Sequence, residues 1–562
     1  MSAAGAFAQT IPATPAKAAG APSLPAAGDR PSAAMTGESL RVRAIPPQSG
    51  PHSFVSPTLQ ALPQINNLPQ TQHNPTKAEA PTVIHTGNWG VFNRDDGSPA
   101  GFGPVARYGT ARWAEDWRAL RDPANRVDPF DALKFIPFTD DKTVYLTLSG
   151  ETRVRNWFET RPFLGQQKPD DSGRFTFRNL YAADLHVGNH FRVYAELING
   201  DAAGWNGYGY NASYRTRLDL QQIFGEFKAR VAGARTGVIL GRQQFLDAPN
   251  YVLFARETPN VPLSWNGGRA YAVWDRFRLD AWDFVQTNTT PQQMFRDNEN
   301  WNARLWGAYS SWAPPDFDFL GRPAHVFLDF FYIGYLFGGT PAAIATPAGT
   351  QNGSTIRHNV GDRFWGKAGP IEFSLGAIYQ GGEFRYARSD RTRTVDAWAV
   401  NSFAGWRFSK VYGRPLVALQ VDVYSGGGYS STSGSEHTYV APYNPSTNYL
   451  DTTTYIAPSN LVSVAPTFEF TPSRYTVLRF KTPLFWREDA SGAVYGASRI
   501  YSFRQRFSGG FIGAAPQGTF AWRITPHLTW SHDLARFMTS RSLEKAGGSD
   551  GTYYLSSLAF RF

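Results

Sequence analysis

From Thr143 to the end of the chain, polar and apolar side chains alternate over one short segment after another. Between Val144 and Phe158, one face of such a segment is mainly apolar, whereas the other carries Glu151 and Arg153. Because successive side chains of a β-strand point to opposite faces, this period predicts strands with one apolar and one charged face. Charged faces that recur along many strands need water beside them, so we expect the strands to enclose a wet interior.

The connections between these segments alternate in length. Long polar connections fall near residues 159–173, 200–217, 244–266, 287–300, 337–354, 382–394, 426–459, 487–509 and 537–550. Short connections fall near residues 188–189, 230–235, 275–277, 314–323, 367–370, 409–414, 472–474 and 525–526. Long loops on one side and short turns on the other are typical of bacterial outer-membrane barrels. The sequence therefore predicts an all-β fold, a closed antiparallel transmembrane β-barrel of about 18 strands, in the bacterial outer membrane.

The composition is consistent with this fold class. The chain has no run of about 18 apolar residues, which argues against a membrane-spanning helix. It has no cysteine, so disulfides and thiolate metal sites are excluded, and its ten histidines show no metal-ligand spacing. The formal net charge of +10 indicates an acidic partner, although we find no basic cluster or recognition motif for nucleic acid. We therefore expect no cofactor and no metal.

The first 142 residues differ from the remainder of the chain. Residues 1–8 end in small side chains, as a signal peptide does before its cleavage site, and we expect the true start codon to lie upstream. Residues 9–80 are rich in Ala and Pro, which predicts a disordered leader. Residues 81–142 contain more aromatic side chains and are expected to form an ordered periplasmic lead-in. Residues 143–562 form the predicted barrel domain.

The last strand is expected to run from Gly551 to Phe562, with aromatic and apolar side chains on one face. A terminal Phe that closes an alternating strand resembles the assembly signal of outer-membrane proteins. An ordinary final strand that happens to end in Phe is the alternative. We expect the ring of Phe562 to face lipid and to matter for assembly.

The strand phases place both arginines and carboxylates on the inner face. The arginines expected to line a pore are Arg153, Arg155, Arg178, Arg192, Arg479 and Arg523. The carboxylates expected on the same face are Glu151, Asp184, Glu196, Glu226, Asp329, Glu372, Asp422, Glu469 and Asp533. Two interpretations remain open: these charges pair across neighbouring strands, or a subset forms an electropositive constriction. Guanidinium groups suit such a constriction because their planar fork binds carboxylates through two parallel hydrogen bonds.

Three stretches carry a family resemblance. They are Gly241–Gln244 at a strand end, Trp265–Arg269 at a strand start, and Phe485–Asp489 followed by Gly492–Gly496. In this order they resemble the alginate export family of outer-membrane barrels that secrete acidic exopolysaccharide. The resemblance covers roughly residues 143–562 and implies that Arg242, Arg269 and Arg487 also line the pore. The segment Asn260–Trp265 departs from the family pattern.

The leading hypothesis is a channel for passive export of an anionic exopolysaccharide such as alginate, with no enzymatic activity. Its expected partners are the polysaccharide, outer-membrane lipid and periplasmic export proteins. A monomer is expected because a closed barrel has no free edge to pair. The alternative is a substrate-specific porin for uptake of small acidic solutes.

A third hypothesis is a hydrolase at the barrel rim. It would use Ser531, His532 and Asp533, which are the residue types of a catalytic triad. On a strand, however, His532 faces away from the other two side chains, and a triad requires the His to contact both.

Overall fold

A computed structural model of the chain describes Tyr108 and residues 112–562, except 116, 206–208, 246–247, 250, 254–255, 257, 275, 316, 347–348, 428–433, 444–448, 474 and 498. The signal-peptide remnant expected at residues 1–8 and the leader expected at residues 9–80 lie outside the described residues. The same is true of most of residues 81–111.

The chain forms a closed antiparallel barrel of 18 strands, as the alternating pattern predicts. The first nine strands are β1 (Val144–Thr160), β2 (Asp171–Val187), β3 (Phe191–Trp205), β4 (Thr216–Val231), β5 (Ala234–Gln243), β6 (Trp265–Val273), β7 (Phe277–Asn288), β8 (Asn298–Trp312) and β9 (Arg322–Thr346). The remaining strands are β10 (Gly349–Ala368), β11 (Ile371–Tyr386), β12 (Thr392–Arg407), β13 (Leu416–Tyr424), β14 (Leu461–Ser473), β15 (Thr476–Lys481 and Leu484–Trp486), β16 (Phe511–Ala514 and Gln517–Arg523), β17 (Leu528–Thr539) and β18 (Gly551–Arg561).

The barrel closes where β1 pairs with β18, a pairing that we call the closing seam. In the register of this seam Glu151 lies opposite Arg561, and the ladder extends to Thr160 opposite Thr552. The backbone of Gly150 continues it by exchanging hydrogen bonds with the terminal Phe562. Because the number of strands is even, the start of β1 and the end of β18 lie at the same end of the barrel, which the periplasm faces in this class of protein.

The connections at that periplasmic end are short. Gly188 begins the turn between β2 and β3 with a φ of +60°, a conformation that costs glycine little. Two connections at the opposite end differ from the prediction. Strands β9 and β10 run far into the region expected as a loop at 337–354, and β11 and β12 leave only residues 387–391 of the loop expected at 382–394. The Gly-Gly-Thr-Pro stretch after Phe337, which predicts a turn, is instead a bulge, after which the ladder resumes at Ala342.

The outer face of the barrel is apolar and exposed. Phe330 and Val360 on neighbouring strands are 55% and 58% exposed, values that suit contact with lipid rather than water. Near the periplasmic end, exposed aromatic rings occupy paired positions, as Phe277 does opposite Trp312. Such rings mark the membrane–water interface in outer-membrane barrels.

The described residues of two long connections lie in the interior and are largely buried there. The inner loop, residues 244–264, connects β5 to β6, and the second inner loop, residues 425–460, connects β13 to β14. They touch each other where Leu253 forms an isolated bridge with Tyr443. Both of these side chains belong to the main apolar cluster inside the barrel. The interior is therefore packed with chain as well as lined by strands.

The described part of the lead-in lies at the periplasmic end and consists mainly of short 3-10 helices. These are Arg112–Ala114, Arg118–Arg121, Pro123–Asn125 and Pro129–Leu133, and the short strand Ile136–Pro137 that follows them pairs with β1. The remaining short elements are the α-helix Arg541–Ala546 and the strands Phe317–Phe319, Tyr495–Gly496 and Arg499–Ile500.

Within the part of the chain that the structure describes, no helix has the length and apolar character needed to cross a membrane.

Candidate translocation site in the barrel interior

An arginine cluster forms around Glu151 on the inner face of β1. One carboxylate oxygen of Glu151 accepts from Arg178 Nε of β2 at 3.1 Å, and the other accepts from Arg561 Nε of β18 at 2.8 Å. All three side chains are almost completely buried. Because one carboxylate serves two guanidinium groups, it neutralises only one of them. Arg153 of β1 also lies within electrostatic range of Glu151.

The inner loop presents backbone oxygens to this cluster. Arg178 Nη1 donates to the carbonyl of Asn260 at 2.9 Å, and Arg153 Nη2 approaches the same oxygen at 3.5 Å. Arg155 Nη1 lies 3.3 Å from both Pro259 O and Thr258 Oγ1. Three inward-facing arginines predicted from strand phase thus converge on residues 258–260. Their partners in this loop are neutral oxygens, which accept hydrogen bonds without cancelling the positive charge.

Asn260 holds this part of the inner loop against the barrel wall. Its side-chain Nδ2 donates to Phe177 O of β2 and to Tyr214 O, each at 2.9 Å. Its backbone N–H donates to Ser213 O at 3.2 Å. The side chain is 1% exposed, so these bonds form away from water, where losing one costs about 1–3 kcal/mol. The departure from the family pattern at Asn260 therefore coincides with the anchor of the loop.

The lead-in is anchored inside the barrel by further buried contacts. Arg112 Nε donates to Glu196 Oε2 of β3 at 2.7 Å. Arg192 Nη1, also from β3, donates to the carbonyl of Trp113 at 2.6 Å. Lys134 Nζ donates to Leu148 O on β1 at 2.7 Å. The described part of the lead-in is therefore bonded to β1 and β3 of the barrel wall.

The other predicted arginines have defined partners but do not join the Glu151 cluster. Arg192 also pairs with Glu226 at 2.8 Å, and Arg269 pairs with Asp280, a carboxylate that Arg278 shares. Arg479, the side chain of which is 21% exposed, pairs with Glu469 at 2.6 Å.

Two further predicted arginines donate to backbone carbonyls. Arg242 donates to Leu220 O at 2.8 Å and also pairs with Asp219 at 3.4 Å. Arg487 donates to Gly492 O at 2.6 Å within the connection that follows β15. Arg523 lies at the periplasmic end of β16 and is half-buried. The structure thus brings Arg153, Arg155 and Arg178 together and distributes the other six elsewhere.

Burial shifts the acidity of groups on both inner loops. It lowers the pKa of Arg256 on the inner loop to about 10, so this guanidinium stays cationic at neutral pH. On the second inner loop, burial raises the pKa of Asp451, and hydrogen bonds from Thr453 and Thr454 offset only part of this effect. Burial thus disfavours the charged form of both groups, but Arg256 still carries its positive charge at neutral pH because its lowered pKa remains well above 7.

The residue types of a hydrolase triad do not assemble at the rim. Ser531 and Asp533 are buried on the inner face of β17, whereas His532 is on the outer face, where its Nδ1 lies 2.8 Å from Tyr554 Oη. Asp533 instead accepts from Thr519 at 2.6 Å. Across the described residues, no group of His, Asp and Glu side chains could hold a metal ion.

Sequence reasoning missed Arg561, Asn260 and Arg112. Arg561 had a usable signal, since it alternates with Phe560 and Phe562 on the last strand and must therefore face inward. Asn260 and Arg112 lie outside regular strands, where no period tells which way a side chain points. Their roles depend on contacts with residues at least 46 positions away, which no local pattern encodes.

A closed barrel with an apolar belt and a charged interior defines the class of outer-membrane β-barrel channels. Within that class, residues 144–556 match the family model described as "Alginate export", and the chain belongs to the alginate export family. It is accordingly a protein of the outer membrane. No curated protein matches the sequence of this chain at a significant level.

Several solved structures resemble the barrel at low sequence identity. OccAB1 from Acinetobacter baumannii is 12% identical, with a TM-score of 0.47 over 76% of this chain and 97% of that one. A BenF-like porin from Pseudomonas fluorescens Pf-5 is 11% identical, with a TM-score of 0.45 over 74% and 99%. OccK2 (OpdF) from Pseudomonas aeruginosa, solved in complex with glucuronate, is 12% identical, with a TM-score of 0.43 over 77% and 99%.

Proposed function

We propose that this channel exports an acidic exopolysaccharide such as alginate passively, along a path lined by Arg153, Arg155 and Arg178. The observation that carries the proposal is the convergence of these three side chains on the neutral oxygens of residues 258–260. Family membership supports the same class of substrate. Energy for export would come from synthesis of the polymer, because a barrel of this kind supplies none.

A carboxylated polymer can compete with the inner loop for these arginines. Hydrogen bonds in which both groups are charged are about twice as strong as neutral ones, and a carboxylate can engage both arms of a guanidinium group. The carbonyls of Pro259 and Asn260 accept hydrogen bonds from Arg155 and Arg178, and these are the bonds that the polymer would replace. A uronate that reaches the cluster would take over these donors and displace residues 258–260 from the path.

Planar-bilayer recordings under a salt gradient test this proposal. The wild-type channel should prefer anions, and Arg153→Gln/Arg155→Gln should shift the reversal potential toward cations because two inward charges are removed. The shift should shrink near 1 M salt, where screening reaches only about 3 Å. The matched control is Arg388→Gln/Arg391→Gln, which removes two exposed charges from the connection between β11 and β12 and should change selectivity little.

Cation preference in the wild type, or equal selectivity in the two double variants, would contradict the proposal. Addition of oligouronates then separates export from uptake of small acids. Long oligomers added at the periplasmic side should block and traverse the channel under a driving voltage. Passage of monomeric glucuronate but of no longer chain would favour the uptake porin instead.

A further inference from the structure

A cavity opens at the periplasmic end of the barrel, between the lead-in and the wall formed by β1 to β6. It has a volume of about 1140 Å³. Its rim includes the turns at Gly188 and Gly233, and its outer boundary includes Arg118 of the lead-in. Ligand cavities in proteins commonly measure about 300–1,000 Å³, so this one can admit several sugar units. We call it the vestibule.

The side chains that line the vestibule are strongly biased toward positive charge. The lysines and arginines among them are Arg118, Arg121, Lys142, Lys228, Arg230 and Arg235. Among the described lining residues, Glu115 is the one carboxylate. Its Oε2 accepts from Trp117 Nε1 at 2.8 Å and lies 3.8 Å from Lys134 Nζ, so its charge is already balanced within the lead-in. The vestibule therefore presents a positive field to the periplasm.

Two of these bases are fixed in place by neutral oxygens. Arg121 Nη2 donates to Lys142 O at 3.0 Å, and Lys142 Nζ donates to Arg121 O at 3.1 Å. This reciprocal contact connects the lead-in to the start of β1 without neutralising either charge. Arg121 and Lys142 thus stay next to each other, and two adjacent cations favour a ligand that carries several negative charges along its length.

Aromatic rings accompany these charges. Tyr145 stacks on His186 with 4.6 Å between ring centroids and 7° between ring planes, and both side chains line the vestibule with Tyr271. The Oη of Tyr271 donates to Glu226 at 2.7 Å, which fixes the ring against the wall. All three side chains are buried, so they pack the wall of the vestibule and help to position the cations beside them. Several cations in one concavity of this size favour a carboxylated oligosaccharide over an acidic protein surface, which would need a flatter site.

We propose that the vestibule binds several consecutive uronate units of the polymer and delivers the chain to the barrel interior. This inference rests on the proposed function, because it takes the polymer to be a polyuronate. It adds a binding site separate from the Glu151 cluster, formed in part by the lead-in that precedes the barrel strands.

Binding of hexagalacturonate to the detergent-solubilised full chain tests the inference. Titration calorimetry in dilute salt should detect this linear uronate, whereas neutral maltohexaose should not bind. Lys228→Gln/Arg230→Gln removes two cations that line the vestibule. It should weaken hexagalacturonate binding about tenfold, equivalent to ~1.4 kcal/mol. The matched control is Arg322→Gln/Lys410→Gln, which removes two charges from the same end of the barrel outside the vestibule and should alter affinity less than about twofold.

The proposal that the vestibule binds uronates would be wrong if the two double variants changed hexagalacturonate affinity equally, or if the wild type did not bind it. So would tighter binding of hexaglutamate than of hexagalacturonate, which would indicate an acidic protein partner. Bilayer selectivity is measured separately and reports on the Glu151 cluster. A cation-selective channel that still binds hexagalacturonate at the vestibule would contradict the proposed function alone, and an anion-selective channel that does not bind it would contradict the vestibule alone.

Discussion

The guanidinium group of Arg178 donates to the backbone carbonyl of Asn260 across 2.9 Å, although 82 residues separate the two in sequence. This bond joins the fixed wall of the barrel to a loop that folds into its interior. In the proposed function, Arg178 supplies positive charge to the path and the inner loop is the segment that the polymer displaces.

Asn260→Ala should weaken the attachment of the inner loop to the barrel wall. The substitution removes the side-chain hydrogen bonds to Phe177 O and Tyr214 O and leaves both carbonyls buried without this donor. Single-channel recordings should show longer or larger openings, with mean conductance raised several-fold. Asn288→Ala is the matched control. Asn288 is exposed, and its side chain donates to Asn298 Oδ1, across the base of the connection between β7 and β8, away from the inner loop. Unchanged gating in Asn260→Ala would show that the inner loop is not what limits conductance.

Glu196→Gln should release the lead-in from the barrel. Arg112 and Glu196 are both almost fully buried, and removing one member of such a pair costs about 3–5 kcal/mol. Trypsin should then cut after Arg118, Arg121 or Arg126 at least about tenfold faster, with the products identified by mass spectrometry. Glu544→Gln, at an exposed position of the helix Arg541–Ala546, should leave the lead-in protected. The interpretation would fail if cleavage rates stayed the same.

Docking of the lead-in should weaken in acid. Burial raises the pKa of Asp128, but hydrogen bonds from His527 and from the Phe130 backbone N–H outweigh this effect and hold the pKa below its usual value. Since the docked state has the lower pKa, ionised Asp128 stabilises docking above about pH 4, and this contribution is lost as the pH falls through the depressed pKa. Docking should therefore be constant between neutral pH and about pH 5 and should decline below it.

The absence of cysteine makes this acid response measurable with introduced spin labels. A pair at Ala124→Cys and Lys410→Cys, both at exposed positions, reports the distance from the lead-in to a periplasmic turn. The distribution should broaden in acid, and Asp128→Asn should broaden it already at neutral pH. A narrow distribution in Asp128→Asn at neutral pH would contradict this role for the carboxylate.

Gly150→Ala should destabilise the closing seam. A Cβ at position 150 would lie 2.5 Å from Cε1 of Phe562, so the terminal ring must move off Phe130, against which it stacks at 5.5 Å. We expect the free energy of unfolding to fall by about 1–3 kcal/mol. On SDS gels of samples heated in steps, the band of the folded barrel should disappear at a lower temperature than in the wild type. Gly225→Ala is the control, because the nearest atom to its added Cβ is 3.9 Å away. In a Phe562→Ala background, the cost of Gly150→Ala should fall, because the nearest remaining atom is Tyr181 Cδ1 at 3.1 Å; an unchanged cost would place the strain elsewhere.

The stacking on Phe130 also refines the expectation for Phe562. Its ring is on the outer face, as alternation predicts, but the lead-in covers part of it. Its proposed importance for assembly remains a prediction, and deletion of Phe562 should lower the abundance of the protein in the outer membrane. A deletion variant that inserts as efficiently as the wild type would contradict that role.

The strands were predictable because their signal is local. Arg153 and Arg155 follow the same two-residue period as their neighbours, so their inward direction could be read from a few positions. The loop expected at 337–354 was wrong for an equally local reason, because Gly338 and Gly339 are typical of a turn and also of a bulge. Only the pairing of Ala342 with Gly353 distinguishes the two, and pairing is a property of two strands together.

The packed interior could not be predicted from these patterns. Sequence alternation identifies which side of a strand faces inward but does not reveal what fills the space beyond it. Tyr251 and Tyr443 come from different connections and enter one apolar cluster, and neither belongs to a regular strand. The inward direction of the strand arginines was therefore predictable from strand phase, whereas the contacts of the inner loop and of the lead-in depend on the three-dimensional fold.

The position of Glu151 imposes an order on folding. Its contact with Arg178 spans 27 residues and can form within the first hairpin, whereas its contact with Arg561 spans 410 and must await the last strand. Ring closure over so long a segment carries a larger entropic cost and is slow. Until β18 pairs with β1, Glu151 Oε2 lacks its hydrogen bond from Arg561. A barrel in which β18 has not yet paired with β1 therefore retains an unsatisfied acceptor at its open edge, which distinguishes an unfinished barrel from a finished one.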